Sequence, residues 1–138
     1  MNYKIISEFI KDISFEIPSL ESFALLEKEI SKYNVNFDIK STPFKNNMVE
    51  VNTILRLVPN QDVKNKILTE INYSTLVSFI DAKEKKDLEE IILIKVPTEV
   101  YPKIYSIFIY LLEKSGIKNV KMEKEVDFRK LYNEKKGS

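Results

Sequence analysis

The chain has 138 residues, of which 43% are hydrophobic and 31% charged, a balance typical of one folded domain and too apolar for a disordered chain. It contains no Cys and no His, which excludes disulfides and thiol nucleophiles and removes the most common general base and zinc ligand. With 22 basic and 21 acidic residues the net charge is +1, so no long-range field steers the chain toward nucleic acid or an anionic membrane.

The first predicted strand runs from Phe9 to Ile17, because apolar and polar residues alternate there with a period of two. Its apolar face holds Phe9, Ile13, Phe15 and Ile17, and its other face holds Glu8, Asp12, Ser14 and Glu16. Pro18 ends this strand, and residues 19–32 have a composition that favours a helix.

Three further runs alternate between apolar and polar residues, at positions 33–40, 49–59 and 66–80. Pro43 and the pair Asn46-Asn47 predict a turn between the first two of these runs. Because the connections are short, neighbouring strands are expected to be antiparallel.

The second half of the chain changes to a helical period. Residues 81–95 predict a helix with a charged first half, which Pro97 is expected to end. Thr98 is the predicted cap of the next and main helix, and Gly116 is its predicted stop. Asp127 is the predicted cap of a short final helix. These elements predict an α+β fold, in which a four-stranded antiparallel sheet is followed by a long apolar helix and a short C-terminal helix, as a single domain over residues 1–138.

The main predicted helix is apolar around most of its circumference. Between Val100 and Leu112 only Lys103 and Ser106 are strongly polar, whereas a surface helix has a single apolar stripe. Because one sheet covers only one side of such a helix, the other side is expected to pack against another subunit. The predicted oligomer interface comprises Ile104, Tyr105, Phe108, Ile109 and Leu112.

The usual chemistries of enzymes and cofactor sites have no recognisable residues here. Two glycines, Gly116 and Gly137, are too few for a phosphate-binding loop or a dinucleotide fingerprint. The acidic pair Glu89-Glu90 is interpreted as part of a solvated helix face. Asp12 and Glu16 would lie about 13 Å apart on one strand, beyond the roughly 9.5 Å limit of a paired-carboxylate hydrolase. We therefore expect no enzyme, no cofactor and no metal site.

No binding to nucleic acid or insertion into a membrane is expected either. The Lys residues are interleaved with acids, so the seven Tyr and eight Phe lack the basic groove that base stacking needs. No apolar run approaches the roughly 18 residues of a membrane span, and the first residues lack the apolar core of a secretory signal. The expected location is cytoplasmic.

Three dispersed segments resemble the SecB family of protein-export chaperones, in the order and spacing of that family. They are IKDISFEIPS at residues 10–19, VPTEVYP at 96–102 and VDFRKLY at 126–132. The resemblance implies an α+β fold assembled as a dimer of dimers, with the long helices between the sheets. It also implies a holdase that binds non-native precursor proteins without ATP and passes them to the motor SecA.

The resemblance further implies which residues would contact each partner. SecA docks in that family on the outer face of the sheet through a basic, zinc-bearing tail, and the matching positions here are Asp12, Glu16, Leu68 and Glu70. Clients bind in that family in an apolar groove, and the matching positions here are Phe23, Phe128, Leu131 and Tyr132. Ordinary core packing is the alternative interpretation of these four.

Two other roles are compatible with the same resemblance. One is a SecB-like chaperone dedicated to a single client, such as a labile antitoxin, which would need the groove and no SecA contact. The other is a non-catalytic adaptor subunit that keeps the oligomer without binding clients. The family's glycine pair in the fourth strand is replaced here by Ser74-Thr75, so the resemblance does not define the shape of the groove.

Overall fold

Four strands of the computed structural model form one antiparallel sheet, and the structure describes residues 3–29, 33–59, 67–80, 84–117 and 122–136. The strands are β1 (Tyr3–Glu16), β2 (Tyr33–Phe44), β3 (Met48–Pro59) and β4 (Leu68–Phe79). Their order in the sheet is β1-β4-β3-β2, so β1 and β2 are the two edge strands. The predicted four-stranded antiparallel sheet is confirmed.

Four helices and one π-helical turn complete the described chain. They are α1 (Leu20–Glu29), α2 (Lys85–Glu90), the π turn (Ile91–Lys95), α3 (Val96–Lys114) and α4 (Phe128–Lys136). The predicted long helix and short C-terminal helix are confirmed, and α1 confirms the helix predicted after Pro18. Parts of the predicted elements lie outside the described residues, at positions 30–32, 66 and 81–83.

The turn between β2 and β3 is built by the predicted asparagine pair. Asn46 and Asn47 have φ values of 57° and 60°, a left-handed conformation that asparagine tolerates better than most residues. The Met48 amide donates to the Lys45 carbonyl at 3.2 Å and closes this turn. Pro43 was predicted in the turn but lies within β2, where an edge strand tolerates its missing N–H.

Strand β1 contains two register irregularities, one between Ile5 and Ser7 and one between Ile10 and Asp12. Each extra residue moves the following side chains to the opposite face of the sheet. The predicted faces of Glu8 and Phe9 are therefore wrong. Glu8 faces the helices and accepts a hydrogen bond from the Tyr73 hydroxyl at 3.3 Å, while Phe9 is 50% exposed. Beyond the second irregularity, Asp12 and Glu16 lie on the outer face as predicted.

The helix runs through Pro97, contrary to the prediction that it ends there. The π turn ends two residues before this proline, and the Val96 amide donates to the Ile91 carbonyl, five residues back. This wider turn relaxes the crowding that a proline ring causes in a regular helix. Thr98 is likewise not a cap, since its hydroxyl donates to the Ile94 carbonyl at 2.6 Å inside the helix.

The core lies between the inner face of the sheet and one stripe of α3. Val100, Ile104, Phe108 and Leu112 recur every four residues and are at most 1% exposed. They pack with fully buried residues of the central strands, including Val51, Leu55, Ile71 and Val77. Each such side chain stabilises the fold by about 1.5–3 kcal/mol, so this stripe fixes α3 on the sheet.

The C-terminal end of α3 confirms the predicted stop at Gly116. Gly116 has a φ of +95°, the Ile117 amide donates to the Leu112 carbonyl at 3.0 Å, and the Gly116 amide donates to the Glu113 carbonyl at 3.1 Å. These two bonds are those of a Schellman motif, whose left-handed position favours glycine. The ring of Phe23 lies against this glycine, 3.4 Å from where a Cβ would be.

Candidate functional site

A cleft of about 870 Å³ opens between β2, α4 and the segment that leads into α4. From β2 it is lined by residues of both faces of the strand, at positions 34–39. The other wall and the floor are contributed by Leu93, Tyr101, Met122, Val126, Phe128, Leu131 and Tyr132. Its lining is therefore mainly apolar and aromatic, with polar groups of β2 on one side. Charged residues also border it, namely Arg56 of β3 and Glu123, Glu125 and Lys135 on the side of α4.

Three aromatic rings form the floor of the cleft. The centroid of Phe37 lies 5.5 Å from that of Tyr101 and 5.2 Å from that of Phe128, both in edge-to-face geometry. Tyr101 and Phe128 are each only 2% exposed. Such pairs are favourable beyond their burial because the positive edge of one ring meets the negative face of another. Tyr101 and Phe128 therefore support the cleft from beneath, and its accessible apolar surface is provided by partly buried side chains such as Phe37, Leu131 and Tyr132.

The hydroxyl of Tyr101 ties the floor to the segment before α4. It donates a hydrogen bond of 2.6 Å to the backbone carbonyl of Glu123. Burial, and after it the nearby Tyr105 and Glu123, raises the pKa of Tyr101 to about 12. The hydroxyl therefore remains protonated, and available as a donor, throughout the physiological range.

Helix α4 is positioned by the predicted cap. The amide of Lys130 donates to Oδ1 of Asp127 at 3.0 Å, the geometry of an N-cap. Residues spaced three and four apart then share one face of the helix, which places Phe128, Leu131 and Tyr132 along the cleft. Three of the four residues predicted for an apolar groove are therefore brought together.

The fourth predicted groove residue, Phe23, does not line this cleft. It is partly buried against Gly116, which follows Tyr101 by fifteen positions, or about 20 Å along a helix. The difference arises because α1 places Phe23 at the opposite end of α3.

Phe37, Tyr101 and Met122 line the cleft and were not predicted. Phe37 had a usable signal, since it lies on the apolar face of the predicted second strand.

The cleft follows the outer edge of β2. Since β2 is the last strand of the sheet, no other described strand pairs with its second edge. The backbone N–H and C=O groups of an edge strand can pair with an added extended segment. The arrangement therefore offers an apolar surface for side chains next to a hydrogen-bonding edge for a backbone.

A second feature lies on the outer face of the sheet, away from the helices. The register pairs Glu16 with Leu68, Ser14 with Glu70, and Asp12 with Asn72. Directly paired residues have Cβ atoms about 4.5–5.5 Å apart, so the four residues predicted for docking, Asp12, Glu16, Leu68 and Glu70, form one patch. Leu68 is 52% exposed and adds an apolar side chain to the Glu16 end of this acidic patch.

Neighbouring charges shape the electrostatics of this face. Nε of Arg56 donates to Oε2 of Glu70 at 3.2 Å, and its guanidinium also lies 3.7 Å from Asp38. Further along the face, hydrogen bonds from Ser74 and then Lys11 lower the pKa of Glu50, which therefore remains ionised. Both cations are thus engaged by carboxylates, which leaves Asp12 and Glu16 as exposed anionic groups.

The residues predicted for an oligomer interface divide into two groups. Ile104, Phe108 and Leu112 lie in the core of their own chain, because their spacing of four residues turns them toward the sheet. Tyr105 and Ile109 are partly exposed on the other side of α3. The side chains of the first three are therefore buried within their own chain, whereas those of the last two are partly accessible.

The edge strand β1 carries a further apolar surface that the sequence did not single out. It exposes Ile6, Phe9 and Ile10 by 48–50% each. Beside it, Lys103 Nζ lies 2.7 Å from Oε2 of Glu8, and this hydrogen-bonded carboxylate raises the pKa of Lys103. A shallow cavity of about 550 Å³ lies between this part of β1 and α3.

Two classes of site find no support in the part of the chain that the structure describes. None of the helices there is both long and apolar enough to cross a bilayer. Nor do three or more acidic side chains converge there into a set that would hold a metal ion.

Comparison with known proteins gives a consistent result. The chain matches the family model of the preprotein translocase subunit SecB over residues 1–138. It is 43% identical over 136 residues to a putative protein-export protein SecB of Pelagibacter ubique (strain HTCC1062), covering 97% of this chain and 96% of the relative. It is 25% identical over 134 residues to the protein-export protein SecB of Parvibaculum lavamentivorans, covering 96% of this chain and 77% of the relative.

The fold also resembles a solved structure, that of the Mycobacterium tuberculosis Rv1957 SecB-like chaperone in complex with a ChAD peptide from the Rv1956 HigA1 antitoxin. The TM-score is 0.66, with coverage of 91% of this chain and 88% of the other. At 10% sequence identity this likeness concerns the fold alone.

Proposed function

The chain belongs to the SecB family, and on that basis we propose that it is an ATP-independent holdase that binds unfolded preproteins and delivers them to a SecA-type translocation motor. The observation that carries the proposal is the apolar cleft of about 870 Å³ along the open edge of β2. A cytoplasmic, non-catalytic role accords with this family and with the absence of Cys and His.

The cleft is suited to unfolded chains because its contacts are independent of the client's sequence. Burial of a client's apolar side chains against its apolar lining contributes about 25 cal/mol per Å² of apolar area, whatever the residue. The edge of β2 can pair with the backbone of an extended segment, which every non-native chain offers except at proline. The cleft would then bind a client without using a nucleotide. The client would be released when it is transferred to the SecA-type motor.

Delivery is proposed to use the acidic patch of Asp12, Glu16, Leu68 and Glu70. The patch lies on β1 and β4, whereas the cleft follows β2 at the opposite edge of the sheet. A basic tail can therefore dock while a client remains bound, and charge complementarity favours the encounter. Leu68 adds an apolar contact beside Glu16.

Assembly is proposed to be a homo-oligomer, in line with the dimer of dimers that the family resemblance implies. The surfaces offered are the exposed apolar residues of β1 and the outer side of α3 with Tyr105, Ile109 and Tyr110, the last being 60% exposed. Light scattering coupled to size exclusion should give a mass well above the 16.2 kDa of one chain. A monomer at high concentration would contradict this assembly.

A chaperone dedicated to one client is the second candidate. Its support is the likeness in fold to the mycobacterial SecB-like chaperone solved with an antitoxin peptide. Such a protein would need the cleft and make no use of the acidic patch. The adaptor role is less favoured, because a subunit that binds no client has no need of an open apolar cleft.

The holdase proposal is tested by aggregation of a chemically unfolded protein diluted into an excess of this one without ATP. We expect wild type to suppress light scattering and Leu131→Asp to lose this effect, because a carboxylate in the apolar wall must be desolvated when a client binds. Leu68→Asp is the matched control, since it places the same charge on the outer face. Equal suppression by Leu131→Asp and wild type would place client binding elsewhere, and no suppression by wild type would reject the holdase.

A further inference from the structure

We propose that Glu89 and Glu90 are positioning residues for the cleft, holding α4 in place as its wall and thereby setting how long a client remains bound. The inference rests on the proposed function and assigns a role to an acidic pair that the sequence alone indicated only as a solvated helix face. Neither Glu89 nor Glu90 lines the cleft or belongs to the acidic patch.

Both carboxylates are acceptors for side chains of α4. Oε2 of Glu89 accepts a hydrogen bond of 2.8 Å from the hydroxyl of Tyr132. Oε1 of Glu90 accepts from the guanidinium of Arg129, which lies one turn earlier on α4. The Arg129 guanidinium holds the pKa of Glu90 below its usual range, so the Glu90 carboxylate is ionised at neutral pH. Two successive turns of α4 are therefore attached to the end of α2.

The π turn is what directs these carboxylates toward α4. It begins at Ile91, directly after Glu90, and it contributes Leu93 to the cleft while burying Ile91 and Ile94. An inserted residue rotates the preceding helix by about 100° relative to the following one. In an uninterrupted α-helix, the acidic pair and the buried face of α3 would not have this relative orientation. The attachment of α4 thus depends on a local irregularity of the long helix.

The remainder of α4 is weakly buried, so these contacts matter for its position. Phe128 is 2% exposed and fixes the first turn in the aromatic floor. Leu131 and Tyr132 are only partly buried, and residues 133–135 are exposed. Without the carboxylates, the later turns could pivot about Phe128 and move Leu131 and Tyr132 away from β2. A bound client would then lose part of its apolar contact and dissociate faster.

The test reverses the charges of Arg129 and Glu90, singly and together. Neither residue lines the cleft, so these substitutions leave the residues that contact a client unchanged. The probe is a fluorescently labelled, permanently unfolded protein with alkylated cysteines, and the measurement is its dissociation rate in a chase experiment. We expect Arg129→Glu and Glu90→Arg each to accelerate dissociation about fivefold, the size typical of an exposed ion pair with added repulsion. The double exchange should restore the rate to within about twofold of wild type. Glu89→Ala should accelerate it by about twofold.

Lys130→Glu is the matched control, since it makes the same kind of charge change on an exposed residue of α4. An equal acceleration by Lys130→Glu, or a double exchange as fast as the single variants, would overturn the inference in favour of a general charge effect on clients. Hydrogen exchange of the client-free protein supplies a second readout. Amides of residues 131–135 should exchange faster in Arg129→Glu and return to wild-type rates in the double exchange.

The two proposals fail in distinguishable ways. If wild type does not bind the unfolded probe, the holdase function fails. The positioning role would be overturned if the amides of residues 131–135 exchanged hydrogen at the same rate in wild type, in Arg129→Glu and in the variant with both substitutions. This outcome does not depend on whether a client binds.

Discussion

Reversing the charges of Asp12 and Glu16 together is expected to weaken binding of a zinc-loaded SecA tail peptide about hundredfold. Each reversal removes an attraction and adds a repulsion, and about 1.4 kcal/mol for each corresponds to a factor of ten. Both residues are exposed on the outer face of β1. Calorimetric titration of Asp12→Lys/Glu16→Lys with the peptide measures the effect, which should be largest at low salt because exposed charges are screened.

The control for this prediction is Glu21→Lys/Glu134→Lys, which makes the same change in net charge at exposed positions on α1 and α4. We expect this control to bind the peptide like wild type. The Asp12/Glu16 variant should retain the oligomer and its suppression of aggregation. Loss of the oligomer in that variant would make the two acids structural. Absence of peptide binding by wild type would favour the chaperone dedicated to one client.

Replacing Phe128 by alanine is expected to lower the free energy of unfolding by about 3–5 kcal/mol, the usual cost of truncating a fully buried phenylalanine. Phe128 is 2% exposed and contacts the rings of Phe37 and Tyr101 at 5.2 and 6.1 Å between centroids. The same cavity would remove the floor of the cleft and the anchor of α4, so client holding should also be lost. For a chain of this size the melting temperature should fall by about 10–20 °C.

Thermal and urea unfolding at one fixed protein concentration measure this change, because oligomer formation makes apparent stability depend on concentration. Phe44→Ala is the matched control, since it removes the same ring at a position that is 49% exposed. It should cost less than about 1 kcal/mol. A melting temperature of Phe128→Ala equal to that of Phe44→Ala would mean that α4 is not packed in the core.

Much of this molecule follows from local patterns in the sequence. The alternation that predicts β2 and β3, the left-handed turn at Asn46-Asn47, the cap at Asp127 and the stop at Gly116 each depend on a few consecutive residues. The predicted common faces of Asp12 with Glu16 and of Leu68 with Glu70 are also confirmed, because each pair lies two or four residues apart within a regular stretch of one strand.

Other features required the tertiary structure. The irregularities of β1 moved Glu8 to the helix side and Phe9 outward, and no residue pattern marks an inserted strand position that is left unpaired. The helix continued through Pro97 because a π turn precedes it, a compensation invisible in proline preferences. The stripe of α3 at Ile104, Phe108 and Leu112 would be apolar both in an oligomer interface and in the core of the chain. Only the packing of α3 on the sheet shows that it belongs to the core.

The sequence by itself therefore determined the four strands, the C-terminal helix and the local signals at Asn46-Asn47, Asp127 and Gly116, because hydrogen bonding between near neighbours and side-chain periodicity control these. The strand order and the cleft between β2 and α4 were decided only in three dimensions. The cleft joins Phe37 to Phe128, ninety-one positions apart, and excludes Phe23, although all three are equally apolar in the sequence. Contacts of that separation depend on how whole elements pack, and the free energy of that packing is shared among many residues rather than carried by any short motif.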